Sequence, residues 1–398
     1  MSRLWDKGAP LDARVLAYTA GEDHRLDERL VPYDVRASIA HAGMLAAQGL
    51  LDAGDLEVIR GGLDALAAEH ARGEWTIEIA DEDVHTALER RLTERIGAAG
   101  GRIHLGRSRN DQVLAALRLY LKDTIRELAA AAREVAAALG AVAAAHPELA
   151  IPGYTHLQRA MPSSVPLWAG GFAAALEDDA LGIEGCRRRI DKSPLGSAAG
   201  YGTPGLTIDR EATRGALGFA EIEDPVTAVQ LARGKAEAQL LFELALLMND
   251  LGRLGSELVL FATAEFGFVE LPEEMTTGSS VMPQKRNPDL FELVRGRGAT
   301  ALAALVEALV VPAKLPSGYH RDLQVLKAPL FRSIDLALAT CDLLAATLPR
   351  VRFVPDRVAL TPELHAAEEA HRLVVEEGIP FREAYRRIAA KYARQDPE

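Results

Sequence analysis

The sequence predicts an all-α protein organised around a bundle of long helices, and three observations carry that expectation. Hydrophobic residues fill 48% of the 398 positions while aromatics supply only 5%. With Ala and Leu prominent, that balance favours helices over sheets. From Val113 onward, Leu117, Leu121, Ile125, Leu128, Ala132, Val135, Leu139 and Val142 recur at steps of three or four, the repeat of one helix face packed on others. Further helical stretches follow between Gly- and Pro-containing breaks, and several such helices in sequence make a bundle.

Taken in order, residues 1–107 alternate short helical patterns, such as 38–53 and 55–71, with polar joints, and read as an N-terminal mainly helical domain. The helix beginning near Val113 would run about 45 Å at a rise of 1.5 Å per residue. Ser108 followed by Asp111 suits a capping box at its start, and His146-Pro147 ends it. Helical stretches at 164–191, 236–266, 289–311 and 322–348 complete a central long-helix domain, 108–355. Residues 356–398, which include Gly378-Ile379-Pro380-Phe381-Arg382-Glu383-Ala384, read as a small C-terminal helical domain. Apolar runs at 128–132 and 135–139 leave the long helix little polar surface, so some of its faces are expected to meet neighbouring subunits.

Composition excludes several classes of partner. A net charge of −12 argues against nucleic acid and anionic membrane, which both call for a basic face. Cys186 and Cys341 are too few for a disulfide framework and lack metal-ligand spacing, so they read as core thiols in a reducing compartment. The best apolar run, 299–311, is broken by Glu307, and Met1-Ser2-Arg3-Leu4-Trp5-Asp6-Lys7 does not lead into a signal-peptide apolar region. A soluble cytoplasmic protein is expected.

The most informative segment is Gly278-Ser279-Ser280-Val281-Met282-Pro283-Gln284-Lys285-Arg286-Asn287-Pro288-Asp289. Gly278 frees the backbone, and two hydroxyls follow on a stretch able to approach a ligand closely. Pro283 and Pro288 stiffen the chain on either side of Lys285, and an acid opens the helix that follows. Any single Ser or Lys here would suit an ordinary inter-helix loop; the whole string points to chemistry.

Four more segments carry polar groups in suggestive places. Arg102-Ile103-His104-Leu105-Gly106-Arg107-Ser108-Arg109-Asn110-Asp111-Gln112 gathers guanidinium and amide groups before the long helix. Free N–H groups at the helix start and the Arg fork suit carboxylates, although a solvated cap with surface arginines fits the same residues. Gly153-Tyr154-Thr155-His156-Leu157-Gln158-Arg159-Ala160-Met161-Pro162 sets an imidazole between two long helices. A lone His is most often structural, but Thr155 and Gln158 flank this one with hydrogen-bonding groups, as a proton shuttle needs. Tyr319-His320-Arg321-Asp322-Leu323-Gln324-Val325-Leu326-Lys327 places Gln324 and Lys327 on one helical face, which alone could be a helix start with surface polars. In Glu82-Asp83-Val84-His85-Thr86, His85 serves equally well as a cap or as a site residue.

The loop from Gly278 resembles the Gly-Ser-Ser-x-Met-Pro-x-Lys-x-Asn signature of the fumarase/aspartase superfamily, whose members make fumarate by elimination. Gln284, Pro288-Asp289 and Ser108-Arg109-Asn110-Asp111-Gln112 are most similar to its argininosuccinate lyase branch, and matching segments span about residues 27–385. The resemblance implies a three-domain, homotetrameric fold whose central bundle gathers helices from all subunits. It implies active sites shared between subunits and carbon–nitrogen elimination without metal or organic cofactor, in the last step of arginine biosynthesis. It further implies that Ser279 is the base, or that His156 is the base and Ser279 only binds a carboxylate. With Ser279 as base, His156 protonates the leaving nitrogen and Lys285 stabilises the developing charge. Arg109, Asn110, Thr155, Gln158, Asn287, Tyr319, Gln324, Lys327 and His85 would bind substrate. Rival readings are another fumarate-releasing lyase of the superfamily, such as adenylosuccinate lyase, and a non-enzymatic crystallin-like relative.

Departures from the pattern also stand out. Trp5-Asp6-Lys7-Gly8-Ala9 replaces a common Trp-Gly-Gly-Arg-Phe opening, and Asp23 stands where many members carry Ser, four residues before Asp27. Leu105 replaces a common Thr, and the C-terminal piece is short for the family.

Overall fold

The structure, a computed structural model, describes residues 12–393; the departure at Trp5-Asp6-Lys7-Gly8-Ala9 lies outside the described residues. Helices dominate it. After α1 (Ala13–Ala20), α2 (Val31–Ala47), α3 (Ala53–Ala71) and α4 (Val84–Ile96) comes α5 (Arg109–Ala145), 37 residues long. Next come β1 (Ala150–Thr155), β2 (Gln158–Ser164), α6 (Val165–Gly185), β3 (Lys192–Ser193), α7 (Arg210–Leu217) and β4 (Glu221–Ile222). The chain then runs through α8 (Lys235–Phe261), β5 (Val269–Glu270), α9 (Asp289–Val310), α10 (Lys327–Thr347), β6 (Arg352–Phe353), α11 (Ala366–Glu377) and α12 (Phe381–Tyr392).

Several boundaries differ from the sequence expectation for local reasons. Helix α2 starts at Val31, because Pro32 sits in the first turn, where a missing N–H costs nothing. Helix α8 stops at Phe261; Thr263 Oγ1 then donates to the Leu260 carbonyl and accepts from Phe266 N–H, closing a turn before Gly267. Residues Arg321–Leu326 form a 3-10 turn, so α10 begins at Lys327. The segment around His156, expected as a short linker, is the antiparallel hairpin β1–β2, with a bulge at Gly153/Tyr154. Short pairs β3–β4 and β5–β6 complete the strands.

One compact unit comprises residues 12–129, 181–245 and 299–337. Its core includes a cluster of Ala37, Ala115, Leu119, Leu195, Leu217 and Phe219 that joins α2, α5 and α7. Each large apolar side chain buried there contributes about 1.5–3 kcal/mol. Tyr120 meets Phe331 edge-on at 5.3 Å, and Arg29 lies 4.5 Å over the Phe331 ring while gripping both oxygens of Asp335 at 2.9 Å. That fork, backed by an aromatic face, ties the 3-10 turn Asp27–Leu30 to α10.

The second unit comprises 130–180, 246–298 and 338–393. Trp168 is its hub: its ring packs on Phe172, Phe261 and Phe353, and Nε1 donates to Glu257 at 2.6 Å. Gly255 lets α8 approach α9, since a Cβ there would fall 2.9 Å from the Phe291 carbonyl oxygen.

Cys186 and Cys341 are buried and unbridged; burial pushes both thiols up to about 12, which leaves them inert as the sequence suggested. Helices α5 and α9 are each long and apolar enough to cross a membrane by length and composition. The large apolar side chains of α5 are covered within the chain. The uncovered ones sit elsewhere, including Leu302, Val306 and Leu309 along one face of α9 and Phe242 and Leu246 on α8.

Candidate active site

In the first unit, a cavity of about 130 Å³ opens where the start of α4, the start of α5 and the 319–327 segment meet. His85, Arg109, Asn110, Tyr319, Gln324 and Lys327, all picked from sequence, line it, with Asp23, Asp83, Arg233 and Arg321 beside them. Asp83 shows how the local fold aims these groups. It caps α4 through Oδ1, which accepts from Thr86 N and Oγ1 at 2.9 Å, and its Oδ2 holds the Arg109 guanidinium. Burial pushes the Asp83 carboxyl up, but Arg109 and His85 outweigh it and hold the group below the usual range.

Arg321 donates to the Thr19 carbonyl at 2.9 Å, to Glu82 at 3.2 Å and to Gln324 Oε1 at 3.0 Å; the Gln324 amide also donates to Thr19 O at 2.9 Å. Both ends of Gln324 are therefore held in place. Lys327, at the first turn of α10, is 3% exposed and reaches Asp27 Oδ1 at 2.6 Å and Asp23 Oδ2 at 2.9 Å. Burial works to lower its pKa, and the two carboxylates more than reverse that.

His85 is not a cap. Its Nδ1 lies 3.1 Å from Asp34 Oδ1, both side chains are buried, and Nε2 has no hydrogen-bond partner among the described residues. Burial opposes a charged imidazole here, yet Asp34, with help from Asp83 and Asp27, raises its pKa. A raised histidine pKa adds stability that is complete below the ordinary value of 6.5 and fades as pH climbs through the raised one. Asp34→Asn is therefore expected to flatten the loss of stability as pH rises above the ordinary value of 6.5, measured by urea unfolding. An unchanged slope would contradict the pairing.

Asp111 anchors the start of α5. Its Oδ1 accepts from Ser108 N at 3.0 Å, one half of the expected capping box, and its Oδ2 takes Gly196 N and Ala198 N at 3.1 and 2.9 Å. Arg109 and Asn110 are thus presented from a helix start pinned on two sides. Leu105 keeps its side chain in solvent; its carbonyl accepts from His41 Nε2 at 2.8 Å, and burial, with Arg107 nearby, pushes His41 down to about 3, so this donor is neutral.

The remaining sequence-picked residues belong to the second unit. Thr155 and Gln158 are the last pair of the β1–β2 ladder, and His156 and Leu157 form its two-residue turn with φ of 54° and 58°. Such turns ordinarily take Asn-Gly, so two side-chain-bearing residues in left-handed geometry carry about 1 kcal/mol or more of strain each. In the loop before α9, Thr277 and Asn287 exchange backbone hydrogen bonds at 3.1 and 2.9 Å, and Asn287 Nδ2 donates to the Gly278 carbonyl at 3.3 Å. Ser279 Oγ accepts from the backbone N–H groups of Val281 and Met282 at 3.3 and 3.1 Å. Two N–H donors on one hydroxyl oxygen favour its deprotonated form. Lys285 is exposed on the same loop.

A family model described as Lyase matches residues 10–302. The argininosuccinate lyase of Sorangium cellulosum (strain So ce56) is 47% identical over 393 residues, 98% of this chain and 91% of that one. The argininosuccinate lyase of Xylella fastidiosa (strain 9a5c) is 44% identical, covering 98% and 88%. The chain belongs to the argininosuccinate lyase family. Among solved structures, EDDS lyase in complex with formate aligns with a TM-score of 0.81 at 26% identity, over 96% of this chain and 76% of that one. For this argininosuccinate lyase family member the all-α fold expected from sequence, of the fumarase/aspartase type with long helices at its centre, holds.

Sequence reading of this family member passed over Asp34, Asp83, Arg233 and Arg321. Asp83 and Arg321 lie inside motifs that were noticed for their neighbours, so their spacing was a usable signal. Asp34 lies in the first turn of α2, where an acid is ordinary, and Arg233 lies between α7 and α8; neither has a local pattern that separates it from an ordinary charged residue.

Proposed function

We propose that this chain cleaves argininosuccinate reversibly to arginine and fumarate by base-catalysed carbon–nitrogen elimination. The observation that carries the reading is near-full-length identity of 47% to an argininosuccinate lyase, with the Ser-Ser-x-Met-Pro-x-Lys-x-Asn loop intact. Ser279, as an alkoxide favoured by its two N–H donors, takes the proton from the carbon next to a carboxylate. The electron pair passes into that carboxylate as an aci-carboxylate, which Lys285, Asn287 and loop N–H groups stabilise more than the ground state. The pair then returns to form the carbon–carbon double bond as the carbon–nitrogen bond breaks, and His156 protonates the departing guanidinium nitrogen. Arg109 and Asn110 receive substrate carboxylates. Thr155, Gln158, His85, Tyr319, Gln324 and Lys327 supply the remaining contacts.

The reverse reaction tests this. Purified protein incubated with arginine and fumarate is expected to form a species of argininosuccinate mass, and with fumarate plus adenosine monophosphate to form none. The opposite pattern would select the adenylosuccinate branch, and no product from either would favour a crystallin-like role.

The protein works, on this reading, as a soluble cytoplasmic homotetramer with active sites shared between subunits, each chain divided at about residues 107 and 355. Supporting the assembly, Leu302, Val306 and Leu309 make an apolar stripe on a helix that also carries Glu292, Arg295, Arg297 and Glu307, a mixture suited to protein contact. Leu302→Glu combined with Val306→Glu is expected to split the tetramer and cut activity by about 100-fold, read by size-exclusion chromatography with light scattering. A tetramer of unchanged activity would refute that interface.

A further inference from the structure

A separate groove of the first unit, about 390 Å³ in volume, lies between α2, α3 and α7. Its walls are small residues. Ala40, Gly43 and Ala47 follow at steps of three and four along α2, Ala212 and Ala216 lie one turn apart on α7, and Met44 and Leu217, 2% and 5% exposed, complete the lining. Asp209 N–H donates to Gln48 Oε1 at 3.3 Å, which ties the end of α2 to the start of α7, and a Cβ added at Gly43 would meet no atom within 4 Å. The two helices are therefore held together while their facing side chains stay too short to fill the space. Its size falls in the range of about 300–1,000 Å³ that small-molecule sites occupy.

Two exposed guanidiniums, Arg36 of α2 and Arg60 of α3, also line the groove. Other guanidiniums of this unit grip carboxylates, Arg29 with Asp335 at 2.9 Å and Arg95 with Glu69 at 2.7 Å. Arg36 pairs with no carboxylate among the described residues and has the Tyr33 ring at 5.9 Å, while Arg60 has Glu57 only at 3.6 Å, too far for a hydrogen bond. In a chain of net charge −12, two such cations beside an apolar slot complement a molecule with an apolar body and an anionic end.

We propose that this groove binds a small amphipathic carboxylate, its apolar body laid between α2 and α7 and its carboxylate at Arg36, with Arg60 beside it. A neutral apolar molecule would leave both guanidiniums to water. An inorganic anion would gain nothing from the apolar walls, and an anionic membrane is repelled by the net charge of the chain. Only the two parts joined in one free molecule use everything the groove offers.

Calorimetric titration with decanoate, kept below its micelle-forming concentration, is expected to show one site per chain. Arg36→Gln should weaken binding about tenfold, and Gly43→Leu, which places a side chain in the groove, should abolish it. Decanol, the same body without the charge, should bind wild type about tenfold more weakly than decanoate and bind Arg36→Gln as it binds wild type. None of these residues belongs to the lyase machinery, so binding is read independently of turnover. No decanoate binding by wild type, or binding that both variants leave unchanged, would overturn the inference. Decanol binding as tightly as decanoate would overturn it as well, by removing the guanidiniums from recognition. Retention of wild type, but not of Arg36→Gln, on phosphatidylglycerol vesicles without decanoate binding would replace the free acid by a membrane surface. A smaller assembly for Gly43→Leu by light scattering would replace it by a second copy of the chain. Either result would contradict the proposal.

Discussion

Replacing Ser279 with Ala is expected to lower kcat for fumarate release by about 10³-fold or more, while argininosuccinate binding stays within about tenfold. The size of the effect follows from what the hydroxyl does in the loop. Its Oγ is the acceptor for Val281 N and Met282 N, an arrangement that steadies an oxyanion, and Ala offers no atom able to take a proton. The loop itself should survive. Its closure rests on the Thr277–Asn287 backbone pair and on Thr277 Oγ1 bonded to Asp289, none of which uses Ser279. Binding measured calorimetrically therefore separates a missing base from a collapsed loop. Turnover within about tenfold of wild type would transfer the role of base to His156.

The second large effect is expected from Lys327→Met, which should destabilise the fold by about 3–5 kcal/mol and abolish turnover together. Met matches the length of the lysine stem, so packing at the start of α10 is preserved and the change isolates the charge. Without the ammonium, Asp27, fully buried, and Asp23, nearly so, face each other with no cation between them. Asp23, whose pKa burial raises to about 6 even beside Lys327, must then take up a proton, and folding weakens until it does. The deficit should therefore shrink as pH falls from about 7 towards about 4, where protonation removes the repulsion. Urea unfolding across that range reads both size and direction. A deficit below about 1 kcal/mol at neutral pH would mean that Lys327 is not the counter-ion of this pair.

Much of this molecule could be read before any coordinates. The repeat from Leu117 to Val142 marked α5 because a helix face buried along its length must carry apolar residues every three or four positions. His85, Arg109, Asn110, Tyr319, Gln324 and Lys327 were found because short motifs keep their own spacing, and the fold then brings their three segments to one cavity. The hairpin at His156 was not legible, since its turn has neither Asn nor Gly and its left-handed geometry contradicts local preference. Asp34 was likewise hidden. Its partner His85 is distant in sequence, and a carboxylate in a helix gives no sign of facing inward until tertiary packing buries it. Asp23 was visible only as a departure, and its charge imbalance became apparent with Lys327 and Asp27 in place.

The central claim is most directly tested by following fumarate in the ultraviolet after adding argininosuccinate to the purified protein, with adenylosuccinate in a parallel cuvette. Steady fumarate release from argininosuccinate, and none from adenylosuccinate, is the expected result. Fumarate from adenylosuccinate alone, or from neither substrate, would contradict it.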